Sequence, residues 1–392
     1  MHPEGAMMQR VRYILMLVIF LSAAFTAVGR DSLYHDVSVA ASAGYNLPSH
    51  GFYRGRNPSG LPLYTNASYH LQYAFGYQPG TRTGSLYPGV TQGVGIGAMT
   101  FYNHSLMGTP VLAYVFQNAK ILDICPDLGL DYAWEFGGSF GWHCNDIIVS
   151  RANIYVNVGL MLSWDMSKMW SLSFGPEFSH CSNGDTQYPN GGANLLNFKV
   201  GLTGHVVPEN GHEDKASIKE YESELRKRPF ADRMEYDLVL FGGWRAGKVT
   251  GDTYALINEA FPVFGMNFMP SYRLSRHFSA GLSLDLLADR SANIYDVVRG
   301  EEINDVLSYK QPAMGRQIAA GVSIRGELTM PIFTVGVGAG GFVLPNGDSL
   351  RGLYTTFCLK TFVTEHIFLN VSYRLSARNF THNMMYGLGW RF

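Results

Sequence analysis

The sequence predicts an all-β fold, an antiparallel up-and-down outer-membrane β-barrel of about 16 strands in total. Three observations predict this class. Apolar and other residues alternate with period two over segments of about ten residues. The composition is poor in charge and rich in aromatic residues and glycine. The chain also ends in a strand whose every second residue is apolar, with Phe392 as the last residue.

The composition suits a β-rich protein whose outside faces something other than water. Only 16% of the 392 residues are charged, against about 25% in a typical soluble protein. Aromatic residues make up 14%, and glycine occurs 44 times. The formal net charge of -1 gives no argument for a nucleic-acid partner.

The alternation is clearest around residues 153–164. Ile154, Val156 and Val158 alternate there with Asn153, Tyr155 and Asn157. The same reading predicts strands at about 35–45, 64–77, 90–102, 110–119, 127–140, 152–163, 170–181 and 193–206, and then at about 235–247, 261–273, 277–288, 315–326, 332–342, 352–362, 366–376 and 383–392.

These strands fall into two halves of eight. Residues 1–29 resemble a secretory signal peptide, with Arg10 and Arg12 before an apolar run that is short for a membrane-spanning helix. Residues 30–206 form the first unit, 207–234 a charged periplasmic linker, and 235–392 the second unit. Eight strands can close a small barrel, so the sequence favours two eight-stranded units or, alternatively, one larger barrel.

The last strand resembles the C-terminal signal with which bacterial outer-membrane barrels engage their assembly machinery. The sequence therefore predicts the bacterial outer membrane as the location and the barrel assembly machinery as a partner. The four cysteines are too few and too scattered for a recognisable metal site, so neither a metal nor a cofactor is expected. One or two disulfides are compatible with export.

The candidate site lies in the segment EFSHCSNGDTQYPNGGAN, residues 177–194. His180 and Ser182 are two residues apart on one strand, so their side chains project from the same face. That spacing allows an imidazole to take a hydroxyl proton. The alternation places both residues, and Asn194 of the next strand, on the apolar face. If the first strand starts in the periplasm, the loop after Cys181 is external and the three residues face the outer leaflet.

The segments His180–Gly184 and Pro189–Asn194 resemble the HxSN…PNxG signature of the PagL-type lipid A 3-O-deacylases, including related acyloxyacyl hydrolases. The resemblance covers about residues 31–206, and no HxS pair in a comparable context occurs in the second half. It implies an outer-membrane barrel that hydrolyses an ester-linked 3-hydroxyacyl chain of lipid A, the lipid anchor of lipopolysaccharide.

Carried over by position, Ser182 is the nucleophile and His180 the general base, with the backbone of Asn183 and Gly184 holding the oxyanion. The family's usual glutamate falls on Asn194, which can orient the imidazole but carries no charge. Another carboxylate, such as Asp185, is an alternative partner for the histidine. Candidates for contact with the acyl chain are the apolar residues Trp170, Phe174, Phe178, Leu196 and Phe198.

Arg54, Arg56 and Lys199 are candidates for contact with lipid phosphates, and the parity of Lys199 favours the barrel interior. Two other interpretations stay open. The polar residues can be an inactive rim of a non-catalytic barrel. Alternatively, the protein can be a porin-like channel for small solutes, in which the second half supplies the pore.

Overall fold

A computed structural model describes residues 33–207, 215–249, 255–296, 309–347, 349–376 and 382–392. The expected signal peptide, residues 1–29, lies outside the described residues. Within those ranges, none of the helices combines the length and the apolar character that a membrane crossing requires. The chain forms two compact units, which are described separately.

The first unit is a closed barrel in which each strand pairs with its neighbours in sequence, and β1 pairs with β8. Its strands are β1 (Leu33–Asn46), β2 (Thr65–Tyr77), β3 (Val90–Thr100), β4 (Gly108–Cys125), β5 (Leu128–Trp142), β6 (Ala152–Ser167), β7 (Trp170–Ser182) and β8 (Ala193–Val207). Two short helices lie in its connections, α1 (Arg82–Leu86) and α2 (His104–Met107), and a 3-10 turn covers Gly51–Arg54.

The second unit is also a closed antiparallel barrel of eight strands. These are β9 (Met234–Val249), β10 (Ala255–Arg273), β11 (Phe278–Asp289), β14 (Ile318–Thr329), β15 (Phe333–Leu344), β16 (Leu353–Phe362), β17 (Ile367–Ser376) and β18 (Asn383–Arg391), with the two-residue strands β12 (Tyr295–Asp296) and β13 (Tyr309–Lys310) paired between β11 and β14. A 3-10 turn at Met314–Gln317 precedes β14.

The predicted fold class is confirmed, and the chain closes as two eight-stranded barrels rather than one larger barrel. Each of the sixteen predicted strands has a counterpart within a few residues, although β4 and β10 are longer than expected. The short pair β12 and β13 was not predicted, because two residues cannot show an alternating pattern. In the linker, helix α3 (Lys215–Lys227) and a 3-10 turn (Ala231–Arg233) precede β9.

The outside of the first barrel is apolar and the inside is polar. Outward positions carry large exposed side chains such as Val39, Leu71, Ile96, Val158, Leu160 and Val200. Inward positions hold a buried ion-pair network in which Lys199 lies 2.8 Å from Glu135 and 2.7 Å from Glu177. Tyr155 donates to Glu135 at 2.6 Å. An apolar outer wall around a polar interior is the arrangement of a membrane-spanning barrel.

The second barrel has the same polarity. Inside it, Lys360 pairs with Asp237 at 2.6 Å, and Arg325 pairs with Asp285 at 2.6 Å. Outside, the last strand exposes Tyr386, Leu388 and Trp390, followed by Phe392. This matches the alternation read from the C-terminal residues, while the role of that strand as an assembly signal stays a prediction.

The connections of each barrel differ in length between its two ends. In the first barrel, β4–β5 and β6–β7 are joined by the two-residue turns 126–127 and 168–169. The third connection at that end, residues 78–89 between β2 and β3, is longer and contains α1. At the other end every connection has at least seven residues, and residues 183–192 join β7 to β8. The candidate site is therefore at the long-loop end, which is the external end in bacterial barrels of this kind.

A cluster of buried loop and strand-end side chains closes the long-loop end of the first barrel. Its members include Phe52, Tyr53, Phe101, Met107, Trp142, Ile147, Ile148, Cys181 and Leu195. Aromatic side chains bury large areas and have few rotatable bonds, so this cluster fixes the loops against the strand ends. The candidate residues thus project from a packed support.

Candidate functional site

Strands β7 and β8 bring the three predicted residues together on the outer wall of the first barrel. In the register of this pair, His180 lies directly opposite Asn194. Ser182 follows two residues later on β7, at the end of the strand, and lies opposite Ile154 of β6. Residues two apart on a strand share a face, so all three side chains leave the barrel on the same side.

The backbone pairing draws the side chains of His180 and Asn194 close together. The carbonyl of Asn194 accepts a hydrogen bond from the amide of Leu47, at 2.8 Å, and so points towards β1. His180 and Asn194 therefore form a non-hydrogen-bonded pair of the antiparallel ladder. Such pairs have the shorter Cα separation, about 4.5 Å, and their side chains are closer than in the alternating hydrogen-bonded pairs.

Both ring nitrogens of His180 have partners. Nδ1 lies 2.7 Å from Oδ1 of Asn194, and Nε2 lies 2.8 Å from Oγ of Ser182. Because a carboxamide oxygen only accepts, Nδ1 carries the proton and Nε2 presents its lone pair to the serine. The Ser182 hydroxyl then donates to His180, as nucleophilic catalysis requires. Asp185, the alternative carboxylate, is therefore not the hydrogen-bond partner of His180.

The three residues are half-buried, at the boundary between the apolar wall and the loops. Their immediate neighbours on the same face are apolar. Phe178 and Leu196 lie one step down their respective strands and are 37% and 51% exposed. The residues between them, such as Ser179 and Cys181, are buried on the interior side. The burial pattern thus agrees with the outward parity inferred from the sequence.

Gly192 is a neighbour of the site that was not among the predicted site residues. Its φ is +59°, in the left-handed region. A Cβ at this position would be 2.8 Å from the carbonyl oxygen of Cys181, and 3.4 Å from both Cε1 of His180 and Cβ of Ser182. Glycine is therefore required, and its backbone lies against the dyad. The Gly191-Gly192 pair just before β8 was the available sequence signal.

The backbone amide of Asn183, one predicted oxyanion donor, already has a partner. It donates to Oδ1 of Asn190 at 3.1 Å, within the loop between β7 and β8. Gly184, the other predicted donor, has a φ of +68°. Both residues directly follow Ser182. That their amides stabilise an oxyanion stays a prediction.

The predicted acyl-contact residues divide into a near and a far set. Phe178 and Leu196 adjoin the dyad, and Phe198 follows one step further along β8. Phe174 lies roughly 20 Å along the strand from His180, and Trp170 roughly 33 Å, at about 3.3 Å per residue. Trp170 is at the short-turn end of β7 and is not brought together with the site.

The cationic candidates also separate. Arg54 is exposed at the long-loop end, where its Nε and Nη2 donate to the carbonyl of Pro48 at 3.2 and 3.0 Å. Arg56 is exposed in the same loop. Lys199 is buried inside the barrel between two glutamates. Lys199 therefore lies in the barrel interior, as its position in the alternating pattern indicated, and does not reach the outer wall.

Other chemistry is limited in the part of the chain that the structure describes. No three His, Cys, Asp or Glu side chains come together there as a metal site requires. All four cysteines are free: Cys125 and Cys144 are exposed, while Cys181 and Cys358 are buried. The disulfides that export permits are thus not formed.

The second barrel does not repeat the pair at the corresponding strand. β17, its penultimate strand, ends with Arg374 and Ser376 buried on the interior side. The outward positions beside them are Tyr373 and Leu375. This agrees with the sequence of the second half, where the HxS triplet His277–Ser279 lies at the start of β11 and not at the end of the penultimate strand.

The comparison with family models finds one match. Residues 234–392, the second barrel, match the family described as "Acyloxyacyl hydrolase, C-terminal domain". The predicted family is thus found, but on a different segment. From the sequence the resemblance was expected over about residues 31–206 and not in the second half, whereas the match covers residues 234–392. The Ser182–His180 pair lies outside the matched residues.

No curated protein matches the chain. Among solved structures, Neisserial surface protein A aligns at 11% identity with a TM-score of 0.27, covering 44% of this chain and 96% of that one. The KdgM porin aligns at 7% identity and a TM-score of 0.18, covering 71% and 91%. The siderophore receptor PirA from Pseudomonas aeruginosa aligns at 9% identity and a TM-score of 0.24, covering 93% and 82%.

Structural alignments at such low TM-scores carry no argument about this chain. The apolar outer walls, the polar interiors and the family match carry the assignment instead. The match also indicates hydrolase activity, without naming the substrate. The protein is therefore a bacterial outer-membrane protein of two barrels that, over residues 234–392, resembles the PagL-type acyloxyacyl hydrolases.

Proposed function

We propose that the protein is an outer-membrane esterase that removes an ester-linked 3-hydroxyacyl chain from lipid A, with Ser182 and His180 as its catalytic pair. One observation carries the proposal. A hydrogen-bonded chain from Ser182 through His180 to Asn194 lies on the outer wall of the first barrel, with bonds of 2.8 and 2.7 Å. It combines a nucleophile, a base and a residue that orients the base.

The reaction begins when Oγ of Ser182 attacks the ester carbonyl and Nε2 of His180 takes the hydroxyl proton. The tetrahedral intermediate collapses as His180 returns that proton to the sugar oxygen, which leaves as an alcohol. The acyl group is then an ester of Ser182. Water, activated by His180 in the same way, releases the 3-hydroxy fatty acid and restores the serine. Asn194 holds the ring in the tautomer that both half-reactions use.

The position on the outer wall suits an ester of a membrane lipid. A soluble esterase has to withdraw its substrate from the bilayer, whereas a side chain on the barrel wall meets a neighbouring lipid laterally. Phe178 and Leu196 extend the apolar surface from the dyad along the wall. The dyad lies at the long-loop edge of this wall, and the ester of a membrane lipid that joins acyl chain to headgroup suits this edge. Placement in the outer leaflet follows if the long-loop end is external.

The interior of the first barrel argues against a channel through that barrel. Lys199, Glu135 and Glu177 form ion pairs across the interior, and all three are buried. The cluster containing Tyr53 and Trp142 fills the long-loop end. Small barrels commonly fill their interiors in this way. The match to an acyloxyacyl hydrolase domain gives independent support for hydrolysis, although it lies on the second barrel.

The test is mass spectrometry of lipid A from a host that makes lipid A and expresses the full chain. We expect the wild-type protein to remove one hydroxyacyl mass, and Ser182→Ala and His180→Ala to leave lipid A intact. Ser171→Ala is the matched control, because Ser171 is on the same strand at its short-turn end. That variant should act like the wild type.

Heat-modifiable migration of each variant in gel electrophoresis establishes that the barrels have folded. Unchanged lipid A from a folded wild-type protein, in a host with a 3-linked hydroxyacyl ester, would reject the proposal. Loss of the acyl chain from the Ser182→Ala sample would also reject the assignment of the nucleophile.

A further inference from the structure

The segment that enters β8 lies against the catalytic pair and is held from the opposite side by one hydroxyl. Gly192 precedes β8, and its backbone is close enough that an added Cβ would contact both His180 and Ser182 at 3.4 Å. The carbonyl of Gly192 accepts a hydrogen bond from Oη of Tyr53 at 2.7 Å. The two residues are far apart in sequence, so this bond joins the β1–β2 connection to the β7–β8 connection.

Tyr53 is itself rigidly placed. Its side chain is fully buried, and its ring makes an edge contact with Phe52 at 6.2 Å between centroids. Its backbone amide donates to the carbonyl of His50 at 3.2 Å, and its carbonyl accepts from Leu63 at 2.9 Å. Burial, with a smaller contribution from Cys181, raises the pKa of the Tyr53 phenol well above its ordinary value. The phenol therefore stays protonated and donates throughout the working pH range.

The loop has a second anchor on the far side of Gly192. The amide of Gly191 donates to the carbonyl of Ile147 at 2.8 Å, and Ile148 forms an isolated bridge with Asn190. These two contacts fix residues 190 and 191. On the other side, Ala193 lies opposite Cys181 in the β7–β8 ladder, in a hydrogen-bonded pair next to the His180–Asn194 pair. The carbonyl of Gly192 lies between these anchors and has the Tyr53 hydroxyl as its donor. Glycine has the widest backbone freedom of any residue, so the bond from Tyr53 adds to these anchors in holding this peptide in one orientation.

We propose that Tyr53 is a positioning residue for the Ser182–His180 pair, acting through the carbonyl of Gly192. The bond fixes the backbone of Gly192, which lies beside the imidazole of His180 and the Cβ of Ser182. Without it the buried carbonyl loses its donor, and the Gly192 peptide is held beside His180 only by the bonds of the neighbouring backbone. The inference rests on the proposed function, because it takes the pair to be catalytic.

The test compares Tyr53→Phe with Tyr69→Phe in the full chain. The first removes the hydroxyl and keeps the ring in its packed site. The second removes a hydroxyl from a tyrosine that is 62% exposed on the outer wall of β2. Two rates are measured in detergent micelles: release of 3-hydroxy fatty acid from lipopolysaccharide, and covalent labelling of Ser182 by a fluorophosphonate.

We expect Tyr53→Phe to lower kcat and the labelling rate together, by about 10- to 100-fold, because small misplacements of reacting groups have effects of this size. KM should change less than twofold, since no acyl-contact residue is altered. Tyr69→Phe should match the wild type. Unchanged kcat and labelling in folded Tyr53→Phe would overturn the proposal, and so would a change in KM alone.

Nitrogen NMR of His180 separates this proposal from the catalytic one. In the wild type we expect one tautomer, with the proton on Nδ1, and in Tyr53→Phe a mixture of tautomers. If the wild type neither hydrolyses nor becomes labelled but the tautomer still changes, the proposed esterase fails, while the effect of Tyr53 on the imidazole of His180 is still observed. If the tautomer and both rates are unchanged in Tyr53→Phe, the positioning role fails.

Discussion

Replacing Asn194 by Asp tests whether the missing charge limits the proposed reaction. The carboxamide oxygen of Asn194 is 2.7 Å from Nδ1 of His180, a length at which an aspartate oxygen can occupy the same place. Asp has the same number of heavy atoms as Asn, so the substitution adds a charge and leaves the shape almost unchanged. Glutamate is the usual family residue, but its extra methylene would have to be accommodated between β7 and β8.

The size of the effect follows from the change in the hydrogen bond. A bond between neutral groups contributes about 0.5–1.5 kcal/mol, and one to a charged group about 1.5–3 kcal/mol. The histidine becomes an imidazolium when it takes the serine proton, so the difference of about 1 kcal/mol appears in the transition state. Both residues are half-buried, which keeps the estimate at this lower end. Because 1.36 kcal/mol is a tenfold change in rate, Asn194→Asp should raise kcat about five- to tenfold.

The assay is release of 3-hydroxy fatty acid from lipopolysaccharide in detergent, with the fluorophosphonate labelling rate as a second measure. Asn194→Leu is the opposing variant, since it has a similar volume and no acceptor. It should lower kcat by more than tenfold, because Nδ1 then has no partner that fixes the tautomer. Equal rates for wild type, Asn194→Asp and Asn194→Leu would refute a role for this residue. A slower Asn194→Asp enzyme with an intact fold would refute the argument from charge.

Three further outcomes follow from the same geometry. Gly192→Ala should abolish labelling of the serine in a folded barrel, because the new Cβ would lie 2.8 Å from a backbone carbonyl at a φ of +59°; normal labelling would contradict the close approach. Lys199→Met should destabilise the first barrel by about 3–5 kcal/mol, since it leaves two buried glutamates without their cation, and urea-induced unfolding in detergent would measure this. Phe178→Ala should raise KM for lipopolysaccharide several-fold, while Trp170→Ala, roughly 33 Å along the strand from the dyad, should leave KM unchanged.

Much of the fold could be predicted because successive side chains of a strand point to opposite faces. Outward and inward residues therefore alternate in the sequence with period two. Val156, Val158 and Leu160 alternate with buried Asn157 and Tyr155, and the structure keeps this order. Short turns also mark where strands end. The division into two closed barrels was harder to predict, because closure depends on pairing between β1 and β8, which are far apart in the chain.

The part of the site that lies on strands could be predicted, and the part that depends on loops could not. The parity of His180 and Ser182 follows from their spacing, and Asn194 lies opposite His180 because the loop between β7 and β8 sets the register. Tyr53 could not be found in this way. It reaches Gly192 through the packing of separate loops, and nothing in the local pattern of residues 51–54 indicates that contact. The hydrogen bond from the Asn183 amide to Asn190 could not be predicted for the same reason.

The two barrels show how one residue of register decides what a strand can display. β7 ends on an outward Ser182, with His180 on the same face. β17 also ends on a serine, Ser376, but there the alternation places the serine and Arg374 inside the barrel. A shift of one residue exchanges the two faces of a strand, so similar strand ends have opposite exposure. The barrel that matches the family model has the polar residues at the end of its penultimate strand inside. The first barrel has a serine and a histidine on its outer face at the corresponding strand end.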